Sequence, residues 1–301
     1  MTGAERGFLL LTSKLGNPDR KPLTVAQLRE LTARVQHLNR RDFSRAADEY
    51  RALDVYDLVA IGYGPKLAAH IVDLTNEDVL LSWYITRAQK AKCIPVTRAT
   101  ECYPPVLRNR LGLDSPGVLW AKGDLRLLDT PAIALVGSRE LHPANREFAE
   151  AVGREAARQG ITLVSGNARG ADKTAQNACL AAGGKVISVV ADGLETHKLR
   201  DNLLYLSEDS FDEAFSPQRA LSRNRVIHCL GVKTFVAQCN LGVGGTWDGT
   251  VKNLQKGWSP VFCFDDGSPA VEELKQLGAT AVKPEQLSDL PALQANVLSF
   301  L

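Results

Sequence analysis

The sequence lacks the long apolar runs and the paired cysteines that mark membrane proteins and disulfide-rich proteins. No apolar stretch approaches the roughly 20 residues that a membrane-spanning helix needs. The N-terminus has only a few consecutive apolar residues with an acid before them, which predicts no signal peptide. The six cysteines are scattered, without a Cys-x-x-Cys pair, which argues against a disulfide framework and a zinc site. Buried free thiols in a cytoplasmic protein are therefore expected.

A large excess of charge of either sign is also missing. The chain has 36 Lys and Arg residues against 34 Asp and Glu residues, a formal net charge of +2, and no basic tail. Any anion-binding site must therefore be local and built from a few well-placed cations. The five histidines show neither metal-ligand spacing nor a partner pattern, so the sequence predicts no metal site and no catalytic residue set.

The first 92 residues have the apolar spacing of helices. Apolar residues recur at helical spacing from Val25 to Leu38, and Thr24 with Gln27 forms a capping box before them. A second helical region is predicted near residues 43–58. The sequence therefore predicts a small N-terminal helical domain over residues 1–92.

A Gly-x-Gly turn joins two predicted helices within residues 59–72, VAIGYGPKLAAHIV. Helix, turn and helix in this order are typical of a helix-hairpin-helix or SAM-like module, whose turn can present backbone N–H groups to a DNA phosphate. A plain corner between two packed helices has the same pattern. The sequence leaves these two interpretations open.

Residues 93–301 change to alternating strands and helices. Two short strand-like runs, CIPV and GVLWAKG, come first. The strands predicted after them are Ile133–Val136, Ile161–Val164, Val186–Val190, Thr234–Ala237 and Pro260–Phe264. The predicted helices are Arg146–Arg158, Ala171–Ala181, Leu221–Leu230, Gly249–Lys256 and Pro269–Leu277. Apolar strands separated by helices favour an α/β fold, with a Rossmann-like, doubly wound and mainly parallel sheet covered on both faces.

Glycine-rich turns follow several of the predicted strands. Right-handed crossovers bring the carboxyl ends of parallel strands to one edge of the sheet, where such folds bind ligands. Glycines let backbone amides approach a ligand there, and helix N-termini add partial positive charge. We therefore predict a phosphate site at this edge. The turns supply Gly137, Ser138, Arg139, Ser165, Gly166, Arg169, Gly170, Gly244, Gly245 and Thr246.

Arg139 is the principal cation expected at this edge. It precedes a helix, where a cation is unfavourable unless an anion is bound. Arg169 lies beside Asp172, so an ion pair between these two side chains is an equal alternative to phosphate binding. Asp172 is expected to cap the helix or brace the loop. Of Arg223 and Arg225, two residues apart on a helix, one is expected to face the site and the other to brace a neighbouring loop.

Two common nucleotide-binding motifs are absent. A dinucleotide fingerprint needs Gly-x-Gly-x-x-Gly in one turn and an acid after the second strand, and the turn at Gly137 has a single glycine. Nothing matches the Gly-x4-Gly-Lys-[Ser/Thr] pattern of a P-loop. Two separate glycine-rich turns suit phosphates that are spaced along a nucleic-acid backbone. A dinucleotide fold instead concentrates its phosphate contacts in one turn.

The order of these motifs resembles that of the DprA/Smf family of bacterial DNA-processing proteins. The matching segments are PGVLWAKG (116–123), VGSR (136–139), SGNARGAD (165–172), SRNRVI (222–227) and a Gly-Gly-Thr turn (244–246). The similarity is collinear over about residues 93–282. Three segments depart from the family: Gln176 replaces a His, GLETHKLRDN (193–202) lacks a Tyr-Pro, and Trp247-Asp248 follow the last turn.

Membership of this family would imply an extended Rossmann fold and a homodimer that binds single-stranded DNA without catalysis. It would also imply protection of the strand and its delivery to the RecA recombinase during DNA uptake. The resemblance implies no cofactor. The further site residues that it carries over are Asp172, Lys173, Lys185, Arg223, Asn224 and Arg225.

Two other functions fit the same fold class. LOG-type enzymes, which cleave the N-glycosidic bond of nucleoside monophosphates, are similar in a Gly-Gly-x-Gly-Thr-x-x-Glu loop. Here Gly249 stands at the position of the catalytic Glu, and the carboxylate of Asp248 would point elsewhere. The other alternative is a nucleotide-sensing module that binds a small phosphate ligand without turnover. Trp247 could stack on a base in all of these cases.

Overall fold

The computed structural model describes residues 1–39, 53–208 and 210–295. Most of the second predicted helical region, residues 43–58, lies outside the described residues. Within the described ranges, no helix has the length and apolar character needed to cross a bilayer. The six cysteines are free, and five of them are buried, as expected for structural thiols.

The N-terminal part is helical. Its helices are α1 (Gly3–Thr12), α2 (Val25–Asn39), α3 (Val55–Ala60), α4 (Pro65–Thr75) and α5 (Asp78–Lys90). α2 begins at the predicted capping box, in which the backbone N–H of Gln27 donates to Thr24 Oγ1 at 3.2 Å and that of Thr24 donates to Gln27 Oε1 at 2.9 Å. α3, a turn and α4 form the helix–turn–helix unit that was predicted.

These helices pack on two different apolar cores. α2, α3 and α4 bury Leu31, Leu58 and Ile71 in one core, to which α1 adds Leu11. α1 and α5 also add Leu9 and Tyr84 to the core on one face of the sheet. The domain boundary between residues 92 and 93 stays a prediction, because the helices before it pack partly on the sheet.

A nine-stranded sheet follows. Its strands are β1 (Ile94–Thr97), β2 (Val118–Gly123), β3 (Ala132–Val136), β4 (Thr162–Ser165), β5 (Val186–Val190), β6 (Leu203–Ser207), β7 (Thr234–Val236), β8 (Val261–Phe264) and β9 (Thr280–Val282). The strand order is β1-β2-β6-β5-β4-β3-β7-β8-β9. β3 to β9 pair in parallel, and β2 runs antiparallel to both of its neighbours. The predicted α/β fold with a doubly wound, mainly parallel sheet is confirmed.

The helices of this part cover both faces of the sheet. They are α6 (Pro105–Leu111), α7 (Pro143–Arg158), α8 (Ala171–Ala181), α9 (Pro217–Ser222), α10 (Asn224–Leu230), α11 (Gly245–Lys256) and α12 (Pro269–Gln276). The single helix predicted over residues 221–230 is two helices, α9 and α10. α11 begins four residues earlier than predicted. These residues, Gly-Thr-Trp-Asp, have low helix propensity, so the sequence did not predict them as helical. β6 and β9 were missed, since short apolar runs do not separate strand from helix.

The chain order of the strands locates the ligand edge. From β3 the chain winds through β4, β5 and β6 on one side, and β7, β8 and β9 then add to the other side of β3. Doubly wound folds bind ligands at such a reversal, outside the carboxyl ends of the two strands concerned. A ligand site is therefore expected in the crevice between β3 and β7.

Candidate nucleic-acid interface

A cleft of about 990 Å³, here called the switch-point cleft, opens at the carboxyl ends of β3 and β7. It is bounded by the turn after β3, the loop before α8, the helices α9 and α10, and the turn that begins α11. Most of the residues predicted from the sequence meet here. Those in its lining are Gly137, Ser138, Arg139, Arg169, Asp172, Arg223, Asn224, Gly244, Gly245 and Thr246.

A second cleft of about 640 Å³, here called the basic groove, lies on the other side of the loop formed by residues 165–170. It is formed by that loop, one side of α8, the turn after β5, part of β6 and the segment that leads into α9. Its cationic lining residues are Arg139, Arg169, Lys173, Arg200 and Arg223, and its acidic lining residue is Asp192.

The two clefts differ in charge. In the switch-point cleft three cations and three acids balance one another: Arg139, Arg169, Arg223, Glu140, Asp172 and Asp248. In the basic groove five cations face one acid. Arg169 and Arg223 pair with acids that do not line the groove, which leaves three unpaired cations there. A polyanion is still attracted to the groove more strongly than to the cleft beside it. The glycine-rich turns alone did not predict this division.

Arg139 lies where the two clefts meet, since it lines both of them. Its side chain is exposed at the end of β3, and within the described ranges it has no hydrogen bond or ion pair. Arg200 and Lys173 are likewise exposed and unpaired in the same part of the structure. These side chains are free to bind an anion.

Arg169 and Asp172 do not pair with each other, so that alternative is wrong. Arg169 Nη2 lies 3.3 Å from Glu140 Oε1, and both side chains are largely exposed. Asp172 turns back under the loop, where its Oδ2 accepts a hydrogen bond from the backbone N–H of Ala168 at 3.1 Å and lies 4.0 Å from Arg223 Nη2. Asp172 therefore braces the loop and pairs with Arg223.

Arg223 and Gly166 fit each other closely. The Arg223 side chain is 8% exposed, and its Nε has no hydrogen-bond partner among the described residues. A Cβ at Gly166 would overlap the guanidinium, so the glycine makes room for Arg223. Burial lowers the pKa of Arg223, and the charge of Asp172 opposes that shift. Burial likewise raises the pKa of Asp172, against the effect of Arg223.

The two arginines of the Arg-Asn-Arg motif have different contacts, as expected. Arg223 lines both clefts, whereas Arg225 forms an ion pair with Glu208 and lines neither. Asn224 Nδ2, between them, donates a hydrogen bond to the backbone oxygen of Gly245 at 3.0 Å. Asn224 thereby fixes the start of α11 against α10.

Lys185 lines neither cleft. It directly precedes β5 and therefore lies at the amino ends of the parallel strands. The basic groove also reaches this edge of the sheet, because its lining includes Leu203, which pairs with Val186. A contact of Lys185 with DNA stays a prediction.

Gly170 holds two site loops together. Its φ is +86°, and a Cβ there would overlap the backbone oxygen atoms of Ser138 and Arg139. We expect Gly170→Ala to lower the free energy of unfolding by about 1–3 kcal/mol more than Gly160→Ala does. Gly160 is the matched control, since its φ is +68° and a Cβ there meets nothing within 4 Å. Urea unfolding measures both variants, and equal losses would contradict the close contact.

Several residues of the turn after β5 that contribute to the site were not predicted from the sequence. Arg200 lines the basic groove, and His197 Nε2 lies 3.2 Å from Asp192 Oδ1. That contact lowers the pKa of Asp192. The sequence contained a signal for His197 and Arg200, because both lie in the segment 193–202, which departs from the family pattern. Trp247, by contrast, is absent from both linings and packs against the apolar core on the sheet.

Comparison with known protein families decides the relationship. A family model described as DNA recombination-mediator protein A matches residues 95–285. The chain belongs to this family. The matched segment contains β1 to β9 except for the first residue of β1, together with both clefts. The resemblance predicted from the motifs is confirmed.

Curated relatives agree with this assignment. DNA processing protein DprA of Streptococcus pneumoniae is 33% identical over 154 residues, 48% of this chain and 54% of the relative. The Bacillus subtilis protein of the same name is 31% identical over 163 residues, with shares of 50% and 54%. The chain thus spans about half the length of the curated relatives it matches.

Solved structures extend the likeness beyond the aligned sequence. The X-ray structure of DprA from Streptococcus pneumoniae matches with a TM-score of 0.73 and 25% identity, over 98% of this chain and 99% of that one. DNA processing protein A from Helicobacter pylori matches with a TM-score of 0.55 and 24% identity, over 66% of this chain and 95% of that one. The first match also covers the N-terminal helices.

Proposed function

We propose that this chain binds single-stranded DNA in the basic groove, without catalysing a reaction on it. The observation that carries the proposal is the charge of the groove, five cations against one acid, beside a cleft whose charges balance. Arg139, Lys173 and Arg200 supply unpaired cations for successive phosphates, and Arg169 adds a fourth. Family membership supports the same ligand.

A single strand fits this groove better than a duplex. Phe215 is 53% exposed and lines the groove, where an aromatic ring can stack on an unpaired base. Bases in a duplex are already stacked and paired, and the paired backbone is too stiff to bend into a recess between loops. The Helicobacter pylori relative is described by its single-stranded DNA binding mode, which agrees with this preference.

The absence of catalysis is part of the proposal. Gly249 stands where LOG-type enzymes carry their catalytic Glu, and it is buried. A Cβ at Gly249 would lie 3.1 Å from His228 Nε2 and 3.3 Å from Asn224 Nδ2, so these side chains occupy the space that a Glu would need. Within the described ranges, no group of three or more His, Cys, Asp and Glu residues is placed to hold a metal ion.

The wider role rests on family membership alone. We propose that the protein acts as a homodimer in the cytoplasm, where it protects single strands and delivers them to RecA during DNA uptake. Natural transformation and recombination are the processes in which such a protein would act. The groove supplies the DNA contact that each of these steps requires.

Binding of a labelled dT oligomer, followed by fluorescence anisotropy across a salt series, tests the DNA-binding proposal. Three to four phosphates neutralised per protomer predict a log–log salt slope near −2 to −3, at about −0.7 per phosphate. A duplex of the same length is expected to bind more weakly. A signal that does not change with salt, or a duplex that binds as tightly as the single strand, would argue against the groove as the DNA site.

A further inference from the structure

One wall of the basic groove has little regular secondary structure. This part, here called the groove wall, consists of residues 191–202 after β5 and residues 210–216 before α9, which add Arg200 and Phe215 to the lining. Seven of the last eight residues in the first segment are exposed, and Leu194 is the last buried one. The position of Arg200 therefore depends on how the chain is held near Leu194.

Helix α5 of the N-terminal part contacts both segments of the groove wall. Arg87 Nη1 lies 3.0 Å from Asp212 Oδ2, and Arg87 Nη2 lies 3.7 Å from Glu195 Oε1. One turn earlier on α5, the hydroxyl of Tyr84 donates a hydrogen bond to Asp212 Oδ1 at 2.7 Å. Tyr84 is fully buried and the side chain of Asp212 is 9% exposed, so water and salt screen this contact little. The Arg87 guanidinium thus joins the two segments.

The sheet holds the groove wall from a second direction. Lys122 on β2 is buried, and its Nζ donates hydrogen bonds to the backbone oxygen atoms of Leu194 at 3.0 Å and of Glu195 at 3.3 Å. The backbone N–H of Glu195 donates in turn to the backbone oxygen of Phe211 at 3.2 Å. The Phe211 ring packs on Tyr84, with 4.8 Å between the ring centroids. The two segments therefore form one unit fixed between α5 and β2.

These fixing side chains act on the groove only through the wall. Tyr84, Arg87 and Lys122 line neither of the two clefts. A ligand that binds to mobile side chains and loops loses part of its binding free energy in ordering them, and a wall that is ordered beforehand avoids that loss. The contacts of α5 therefore favour binding without touching the ligand.

We propose that α5 positions the groove wall for the DNA strand, with Arg87 as the residue that holds Arg200 and Phe215 in place. The inference rests on the proposed function, because the strand is the ligand that this wall serves. It gives the N-terminal helical part a role in DNA binding at a distance from the groove. Arg200 then meets a phosphate, and Phe215 a base, in a geometry that exists before the strand arrives.

Arg87→Met tests this inference on the whole chain, since it removes both ion pairs and keeps an apolar stem beside Phe211. Binding of the dT oligomer at low salt should weaken by about 5-fold. The log–log salt slope should become less steep by about 0.7, because Arg200 no longer neutralises a phosphate. Arg6→Met is the matched control. It removes one charge from the same helical part, where Arg6 pairs with Asp78, and should change dT binding by less than about 2-fold.

A double-variant cycle separates positioning from a general loss of stability. Arg200→Ala should weaken dT binding by about 5-fold in the unchanged protein, but by less than about 2-fold in Arg87→Met, where Arg200 is already displaced. A general loss of stability would leave both the salt slope and the effect of Arg200→Ala unchanged. That result would overturn the inference.

Hydrogen exchange of the protein without DNA tests the positioning independently of the ligand. The backbone amides of residues 191–202 and 210–216 should exchange at least about 10-fold faster in Arg87→Met, with the amides of α7 unchanged. Equal exchange of the groove wall in both proteins would overturn the inference, even if dT binds. Absence of dT binding by the unchanged protein would refute the proposed function instead, and the exchange rates would still decide whether α5 orders the wall.

Discussion

Replacing Arg139 by Glu is expected to weaken binding of a dT oligomer by about 100-fold, equivalent to about 2.7 kcal/mol. Arg139 is the exposed cation at the junction of the two clefts, and it has no partner within the described ranges. The substitution removes a phosphate contact and places a repelling charge beside the path of the strand. Each of these two changes is expected to cost about as much binding free energy as the loss of one charge-assisted hydrogen bond.

Lys256→Glu is the matched control for Arg139→Glu. It makes the same change of charge on the same chain, but in the exposed last turn of α11, outside the lining of both clefts. Anisotropy at a fixed low salt concentration compares the two variants with the unchanged protein. Equal losses would mean that only the net charge of the molecule matters, and an unaffected Arg139→Glu would exclude the junction as the DNA site.

The sequence predicted the scaffold of the site better than its electrostatics. The strands that lead to Arg139 and Gly166, β3 and β4, were predicted to within one residue at each end, since buried parallel strands are continuous apolar runs. The location of the site followed from strand direction, because all carboxyl ends of parallel strands meet at one edge. Lys185, which the family resemblance added to the site, lines neither cleft.

What the sequence did not predict depends on contacts between distant segments. Arg223 and Asp172 are far apart in the chain, and their pairing in a buried position depends on how α10 approaches α8. The basic groove is lined in part by Leu203 and Tyr205 of β6, which was missed, and by Arg200, which precedes that strand. Neither feature leaves a local spacing pattern in the sequence.

The second large effect is expected for Asp172→Asn, which should lower the free energy of unfolding by about 3–5 kcal/mol. Asp172 and Arg223 are 7% and 8% exposed, so removing the carboxylate leaves a buried guanidinium without a counter-charge. The amide also replaces the carboxylate that accepts from the backbone N–H of Ala168. The loop between β4 and α8, which lines both clefts, is expected to loosen.

Two further variants test whether the loss of stability comes from the unpaired buried charge: Asp248→Asn and a double variant. Asp248 is exposed, so its change to Asn should cost no more than about 0.5 kcal/mol. Combining Asp172→Asn with Arg223→Met removes both buried charges, and this double variant should be more stable than Asp172→Asn alone. Urea unfolding at pH 7 measures all three. A contradictory result would be that Asp172→Asn lowers the free energy of unfolding no more than Asp248→Asn does. The guanidinium of Arg223 would then have to reach water in the native state, and Arg223 would join Arg139 as a cation free to bind phosphate.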